Sequence, residues 1–397
     1  MGQRGFSRRK VVFLSLSSSL VMFSVTGILG AKVLPKVMST DASYRYLSLF
    51  SDVLSLVRYN YVEPVDSKKI MHGAYKGAAE ALDPYGAYLT PEEMKAQAEQ
   101  KDVPAGSLGL EISKRFGYIV VISTVEDSPA AKIGIKGGDY IITVDDRSAS
   151  DLSISQAMEA FKGPAGSACR LSVIRRTSRS GDPEDLEIKR EEIRRPPTVA
   201  QTRDGILTVR MRDLLTDDVT KVRTEIATSG KDTPILLDLR DCTSDSASDA
   251  VALADLFTDQ GEIVKVQDRR KGETHIEATK GTDTCTSPLF VLVNHGSAGA
   301  AEIVAAALQA QKRARIMGER TFGRASIQEV LPLSNGGGLR VTVAKYVAPG
   351  GTAIQGAGVD PDDKIAEPDQ PEPAGDPVLD RAIELIHGAN AAVPKAA

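Results

Sequence analysis

A chain of 397 residues with 42% apolar and 26% charged residues has a globular composition, with room for two or three domains, which excludes a fibrous or disordered protein. Its formal charge of −4 and the lack of a long basic run beyond the N-terminus exclude nucleic acid as an expected partner. Cys169, Cys242 and Cys285 are odd in number, widely spaced and outside any Cys-x-x-Cys pattern, so they read as free thiols, with no metal and no cofactor implied.

Segment 1–40 sets Arg4, Arg8, Arg9 and Lys10 ahead of an uncharged stretch from Val11 to Ala31 that is long enough to cross a bilayer as a helix. A cleaved signal peptide is the alternative, but a cut near Gly30 and Ala31 would place Ile28 or Leu29 where a small residue is required. The expectation is a transmembrane signal anchor with its basic flank in the cytoplasm. The protein would then be a single-pass inner (plasma) membrane protein with the bulk of the chain periplasmic or otherwise extracytoplasmic.

A helical region is expected over 41–101. Tyr46, Leu47, Leu49, Phe50, Val53, Leu54 and Val57 recur at helical spacing until Pro64 stops them, and Ile70, Met71, Ala74, Ala78, Ala79 and Leu82 repeat the pattern. Asp83-Pro84-Tyr85-Gly86 is a turn, and Thr90-Pro91-Glu92-Glu93 opens another short helix. Over 102–176 the pattern changes to short strands, among them 118–125, 137–144 and 169–174, with a short helix opened at Asp127-Ser128-Pro129 and an amphipathic one over 153–161. A polar stretch over 177–198, with Pro183, Pro196 and Pro197, reads as a hairpin and connector.

From 199 to 366 strands alternate with helices, which predicts an α/β sheet with crossover helices. The strands are expected at 205–211, 234–240, 288–294, 314–318 and 339–347, and the helices at 219–228, 248–257 and 300–311. Segment 367–397 is a Pro- and acid-rich linker followed by a last helix from Pro377.

Two stretches carry the chemical information: Asn294-His295-Gly296-Ser297-Ala298-Gly299-Ala300-Ala301-Glu302, and Thr321-Phe322-Gly323-Arg324-Ala325-Ser326-Ile327-Gln328. They resemble the active-site motifs of the carboxy-terminal processing (tail-specific) proteases, peptidase family S41, which run Gly-Ser-Ala-Ser-Ala-Ser-Glu and Phe-Gly-Lys-Gly-x-Val-Gln. Asp238-Leu-Arg-Asp-Cys-Thr-Ser-Asp245 is similar to the family's Asp-Leu-Arg-Gly-Asn-Pro-Gly-Gly, and 354–362 to its Ile-Gln-Gly-x-Gly-Ile-x-Pro-Asp. Ser128-Pro-Ala-Ala-Lys-Ile-Gly-Ile-Lys-Gly-Gly-Asp-Tyr-Ile141 with Gly106-Ser-Leu-Gly-Leu110 resembles a PDZ domain. The resemblance spans 43–387 and implies an α/β multidomain protein: a helical region, a PDZ domain and an S41-type core.

The resemblance puts Gly299 at the position of the nucleophilic serine and Arg324 at that of the general-base lysine. Glycine has no hydroxyl, and a guanidinium stays protonated, so neither can serve that role. Ser244 and Asp245 stand where the family has the glycines of its oxyanion loop, and a carboxylate there would repel a developing oxyanion. Gln328, which in the family helps orient the lysine, and Glu302, the motif's acidic residue, are kept.

The expectation is therefore a membrane-anchored pseudoprotease whose PDZ domain binds unstructured protein C-termini as a scaffold or regulator. The amides of Leu108, Gly109 and Leu110 would hold the terminal carboxylate and the peptide would add as a strand; a plain turn in a packing domain is the alternative for that loop. Two other readings stay open. One is an active serine-type endopeptidase that trims C-terminal tails with unconventional residues. Its fallback nucleophile and base would be Ser297 and His295, with Ser326 and Cys242 weaker still. The other is a structural role, as a homodimer or beside an active protease paralogue. His72, His275 and His387 stand apart from any acid–nucleophile pattern.

Overall fold

The computed structural model of the protein describes residues 41–99, 106–115, 117–194, 196–280, 284–367 and 375–391. Two compact units divide at Met71 and His72. The first contributes α1 (Asp41–Asn60), in which Leu47, Leu49, Phe50, Val53, Leu56 and Val57 are exposed. The side-chain amide of Asn60 donates to the Leu56 carbonyl at 2.8 Å and finishes the last turn ahead of Pro64. The division falls within α2 (Ser67–Glu80).

The expected transmembrane anchor, and the membrane partner and inner-membrane location built on it, is corrected here. Among the described residues no helix is long and apolar enough to cross a membrane. The stretch Val11 to Ala31 lies outside the described residues. The longest helix described, α1, carries Asp41, Arg45, Asp52 and Arg58, charges that are costly to bury in hydrocarbon.

In the second unit, the Asp83 carboxylate accepts the amides of Tyr85 and Gly86 at 2.8 and 3.0 Å, which makes the turn before β1 (Ala87–Leu89). Thr90 and Glu93 then form a reciprocal capping box that starts α3 (Pro91–Glu99).

An antiparallel sheet follows, made of β2 (Leu110–Arg115), β3 (Tyr118–Thr124), β4 (Tyr140–Val144), β5 (Arg147–Ser148), β6 (Ala168–Ile174) and β7 (Glu184–Lys189). Its order is β2-β3-β4-β6-β7, with β5 on β4. Two helices cross it: α4 (Pro129–Lys132), capped by the Ser128 hydroxyl, and α5 (Ile154–Phe161), opened by a Ser153/Gln156 capping box. Leu152, Ala157 and Phe161 pack on Ile119, Val121, Ile141, Leu171 and Val173, all buried. Because β7 pairs along β6, with Cys169 opposite Ile188, the 177–198 stretch supplies the last strand of this sheet before it becomes a connector.

The remaining strands are β8 (Val199–Arg203), β9 (Ile206–Arg210), β10 (Ile235–Asp238), β11 (Glu262–Asp268), β12 (Gly272–Glu277), β13 (Leu289–Val293), β14 (Ala314–Gly318), β15 (Ser326–Pro332), β16 (Gly338–Val347) and β17 (Asp363–Lys364). They form two sheets. The first runs β17-β14-β13-β10-β9-β8 and is parallel except for the edge strand β8. Every residue of β13 is buried, as befits a parallel strand covered on both faces. One face is packed by α6 (Thr216–Thr228), α7 (Ala247–Asp255) and α8 (Ala300–Ala310).

The other face is packed by α9 (Pro377–Ala391), through Val378, Leu379, Ala382, Ile383 and Ile386. Asp376 caps α9 by accepting the Leu379 amide at 3.0 Å, and the Arg240 guanidinium grips it at 3.0 and 2.6 Å while also holding Asp238 at 2.9 and 2.7 Å. The second sheet, β1-β16-β11-β12 with β15 on β16, was not anticipated as a sheet. Parallel β10 and β13 end at the same edge of the first sheet, so the loops after them converge, and a site belongs there.

Candidate functional site

The loop after β13 is anchored before it reaches α8. Asn294 Oδ1 accepts the amides of Asp241 and Gly296, each at 2.9 Å, tying this loop to the one after β10. Ser297 is fully buried beneath it: its hydroxyl donates to the Leu239 carbonyl at 2.8 Å and accepts the Asn294 amide at 3.0 Å. Two further bonds stitch the loops, Ala298 N to Cys242 O at 2.9 Å and Ala300 N to Ser244 O at 2.7 Å. Gly299 lies between them at φ +66°, ψ −117°, on a sharp strand-to-helix turn. A Cβ built on it would stand 2.2 Å from the Ser244 carbonyl oxygen and 3.3 Å from Asp245 Oδ1.

Glu302, one turn into α8 and fully buried, clamps the second motif to the first. Its carboxylate accepts from Gly299 N at 3.1 Å, Thr321 Oγ1 at 2.5 Å, Gly323 N at 2.6 Å and Arg324 N at 2.7 Å. Burial pushes its carboxyl above the usual range, and those four donors act against the shift. The glutamate thus holds loops together; it does not face a cleft.

The Arg324 side chain, mostly buried, reaches across the loop after β10. Its Nη2 donates to the Thr243 carbonyl at 3.1 Å and pairs with Asp245 Oδ1 at 3.0 Å, and its Nη1 lies 3.8 Å from Glu111 Oε2 on β2. Burial raises the Glu111 carboxyl, and the Arg324 charge offsets part of that shift. Ser244 is buried with its hydroxyl on the Leu214 carbonyl at 2.9 Å, whereas the Asp245 side chain is exposed. Sequence reading had not singled out Glu111, nor Arg212, which bonds the Arg240 carbonyl and sits 3.3 Å from Asp241 Oδ2; no local pattern marks either.

The other candidates have separate engagements. Gln328, on β15, donates to Thr342 Oγ1 at 2.7 Å and Ser326 Oγ at 3.2 Å. His295 is half exposed, with Nε2 3.8 Å from Glu319. Burial, aided by the charges of Arg176, Arg115 and Arg320, lowers its pKa against the pull of Glu319. Ser297 and His295 therefore face different partners. Cys242 is buried, which pushes its thiol up to about 12, so it holds almost no thiolate near neutrality.

The strand sheet of β2–β7 packs on the motif loops. Val120 and Ile122 of β3 meet Ala298 and Phe322, and Arg115 donates to the Phe322 carbonyl at 2.8 Å with its guanidinium 4.6 Å from the Phe322 ring. At the far end of β2, Leu108 is fully buried, and Gly109 turns at φ +74° with its carbonyl accepting the Val125 amide at 2.9 Å. A Cβ on Gly109 would stand 2.2 Å from the Ser128 Cβ, so only glycine fits there. Leu110 begins β2, which is an edge strand of its sheet, open in principle to an added strand.

Residues 205–365 match the model of peptidase family S41, and residues 120–175 match that of the PDZ domain. A carboxy-terminal-processing protease of Bartonella bacilliformis is 32% identical over 363 residues, covering 88% of this chain and 83% of the relative. The chain belongs to peptidase family S41. The carboxy-terminal processing protease CtpA of Bacillus subtilis is 28% identical over 363 residues, covering 89% of this chain and 75% of its own. Among solved structures, a photosystem II D1 C-terminal processing protease superimposes with a TM-score of 0.69 at 27% identity, covering 78% of this chain and 85% of that one. Gly299, Arg324, Ser244 and Asp245 all lie within the S41 match, while Leu108, Gly109 and Leu110 precede the residues matched by the PDZ model.

Proposed function

We propose that this S41 protein has lost peptide-bond hydrolysis and acts by binding unstructured protein C-termini through its PDZ domain, as a scaffold or regulator. By resemblance, Gly299 stands at the nucleophile position and Arg324 at the base position, so neither a hydroxyl nor a proton acceptor is supplied where the family's chemistry needs them. The observation that carries the reading is the Ser244 carbonyl. It takes the Ala300 amide, which follows the nucleophile position and so matches the amide that, in active members of the family, donates to the oxyanion beside one from the glycine loop, and it occupies the space a side chain at 299 would need. Arg324 adds to this by bridging Thr243, Asp245 and Glu111 across the same place. The tight turn at Gly109 supports retained carboxylate capture, because successive amides in such a turn form an anion nest, in which the Ser107 hydroxyl, 3.3 Å from the Gly109 amide, holds the place an incoming carboxylate would take.

The test is incubation of the full chain with an unstructured protein bearing an apolar C-terminal tail, analysed by mass spectrometry beside the Ser297→Ala variant. The expected outcome is no cleavage by either form, with the substrate retained on the protein through its tail. Products made by the unmodified chain and absent with Ser297→Ala would establish a rewired peptidase and overturn the proposal.

A further inference from the structure

Thr208 and Arg210 are two residues apart on β9 and so share one face of the first core sheet. That face is covered by α9 at one end only. At the other, beside the 126–128 turn and residues 192–194 and 196–197, it walls a cavity of about 530 Å³, a volume typical of ligand sites. Ile193, Pro196, Pro197, Val199 and Leu379 give the cavity apolar walls. Through Glu126, Ile193, Pro196 and Arg212 it adjoins a second cavity of about 280 Å³ that reaches Glu111 and Thr243. Together the two adjoining cavities offer far more room than a compact ion needs and can take a segment of peptide chain.

Polar groups on this wall lack partners. Thr208 is 3% exposed, and neither its Oγ1 nor the buried Nε of Arg210 has a hydrogen-bond partner among the described residues. Buried donors left this way carry a desolvation penalty that a ligand can remove. Glu126 Oε2 sits 3.4 Å from Arg210 Nη2 and 3.4 Å from Arg212 Nε, long for charge-assisted bonds, and its side chain is 47% exposed. The Nε and Nη2 of one arginine form the fork that a carboxylate grips with two parallel bonds.

We propose that this cavity binds an acidic side chain within an extended peptide segment, its carboxylate held by the Arg210 fork and the Thr208 hydroxyl in place of Glu126. Glu126 then swings to solvent, its carboxylate having been the internal stand-in for the ligand's. The site is separate from the capture of a terminal carboxylate and does not depend on it.

Fluorescence anisotropy on the full chain tests this with two labelled, C-terminally amidated peptides that differ by one central Glu or Gln. The Glu peptide should bind about tenfold tighter, the usual worth of a hydrogen-bonded charge. Thr208→Val and Arg210→Met should each reduce that preference, and Glu126→Gln should tighten the Glu peptide several-fold. Thr208→Val changes shape little and removes a hydroxyl without a partner among the described residues, so it keeps the fold even if Arg210→Met does not, and thermal unfolding checks both. Equal binding of the two peptides, no binding of either, or a preference that survives Thr208→Val and Arg210→Met overturns the proposal. The same peptide pair with free carboxy-termini separates this result from failure of the PDZ reading: any affinity gained over the amidated pair reports the terminal-carboxylate turn, while the Glu-over-Gln ratio reports this cavity.

Discussion

On the proposed reading, placing serine at 299 and lysine at 324, the residues that the family resemblance puts there, should not by itself give proteolysis. In the Gly299→Ser/Arg324→Lys double variant, the new Cβ meets the Ser244 carbonyl oxygen at 2.2 Å, and φ at 299 is +66°. Overpacking of this kind costs about 1–3 kcal/mol, and a left-handed conformation at a non-glycine residue about 1–2 kcal/mol. The loss of about 2–5 kcal/mol corresponds to a fall in Tm of roughly 4–20 °C for a domain of this class. In molecules that stay folded, the Ala300 amide remains on Ser244, and one missing oxyanion donor costs about 10²–10³ in turnover. A lysine at 324 would also face Asp245, whose charge favours the protonated amine and so weakens it as a base.

The assay is cleavage of an unstructured, apolar-tailed protein followed by mass spectrometry, alongside thermal unfolding of each variant. Adding Ser244→Gly and Asp245→Gly to the double variant should free the loop backbone to turn the 244 carbonyl away from residues 299 and 300, and so yield detectable cleavage. Vigorous cleavage by the double variant alone, with an unchanged Tm, would refute the argument that the loop after β10 closes the site.

Three other outcomes rest on the structure. Gly109→Val should abolish binding of a peptide with a free apolar carboxy-terminus, since its side chain would strike Ser128; calorimetric titration that finds unchanged affinity would count against a working carboxylate loop. Arg240→Met leaves Asp238, 1% exposed, without its charge partner, and should cost about 3–5 kcal/mol of stability. Burial raises the Asp376 carboxyl, but hydrogen bonds and charge from Arg240 outweigh it and hold it below the usual aspartate range. Its contribution is therefore present above the ordinary aspartate pKa and lost as pH falls through the lower folded value. Melting curves between about pH 3 and 7 should show an acid-side loss in the unmodified chain that is flatter in Arg240→Met.

Much of the architecture was legible because it depends on local pattern. The apolar runs that became β9, β10, β13 and β14 are short, β-branched or leucine-rich, and bounded by turn residues, and the 153–161 segment carries its own capping box. The second core sheet was less legible. β12 reads Gly-Glu-Thr-His-Ile-Glu and is mostly exposed, so its strand character comes from pairing with β11 more than from its composition. The β7 strand was folded into a connector for the same reason: Glu184–Lys189 is charged, and only Ile188 is buried against β6.

The sequence by itself determined the chemical inventory of the site. Gly299 lacks a hydroxyl and Arg324 cannot give up its proton, and these are properties of covalent structure that no fold alters. Tertiary structure alone decided what those residues touch. That the Ser244 carbonyl lies on the Ala300 amide, that Arg324 joins Asp245 to Glu111 on another sheet, and that the buried Ser297 hydroxyl rests on the Leu239 carbonyl are contacts between segments tens to hundreds of residues apart. Such contacts are set by how packed elements bring distant loops to one sheet edge, and nearness along the chain carries no record of them.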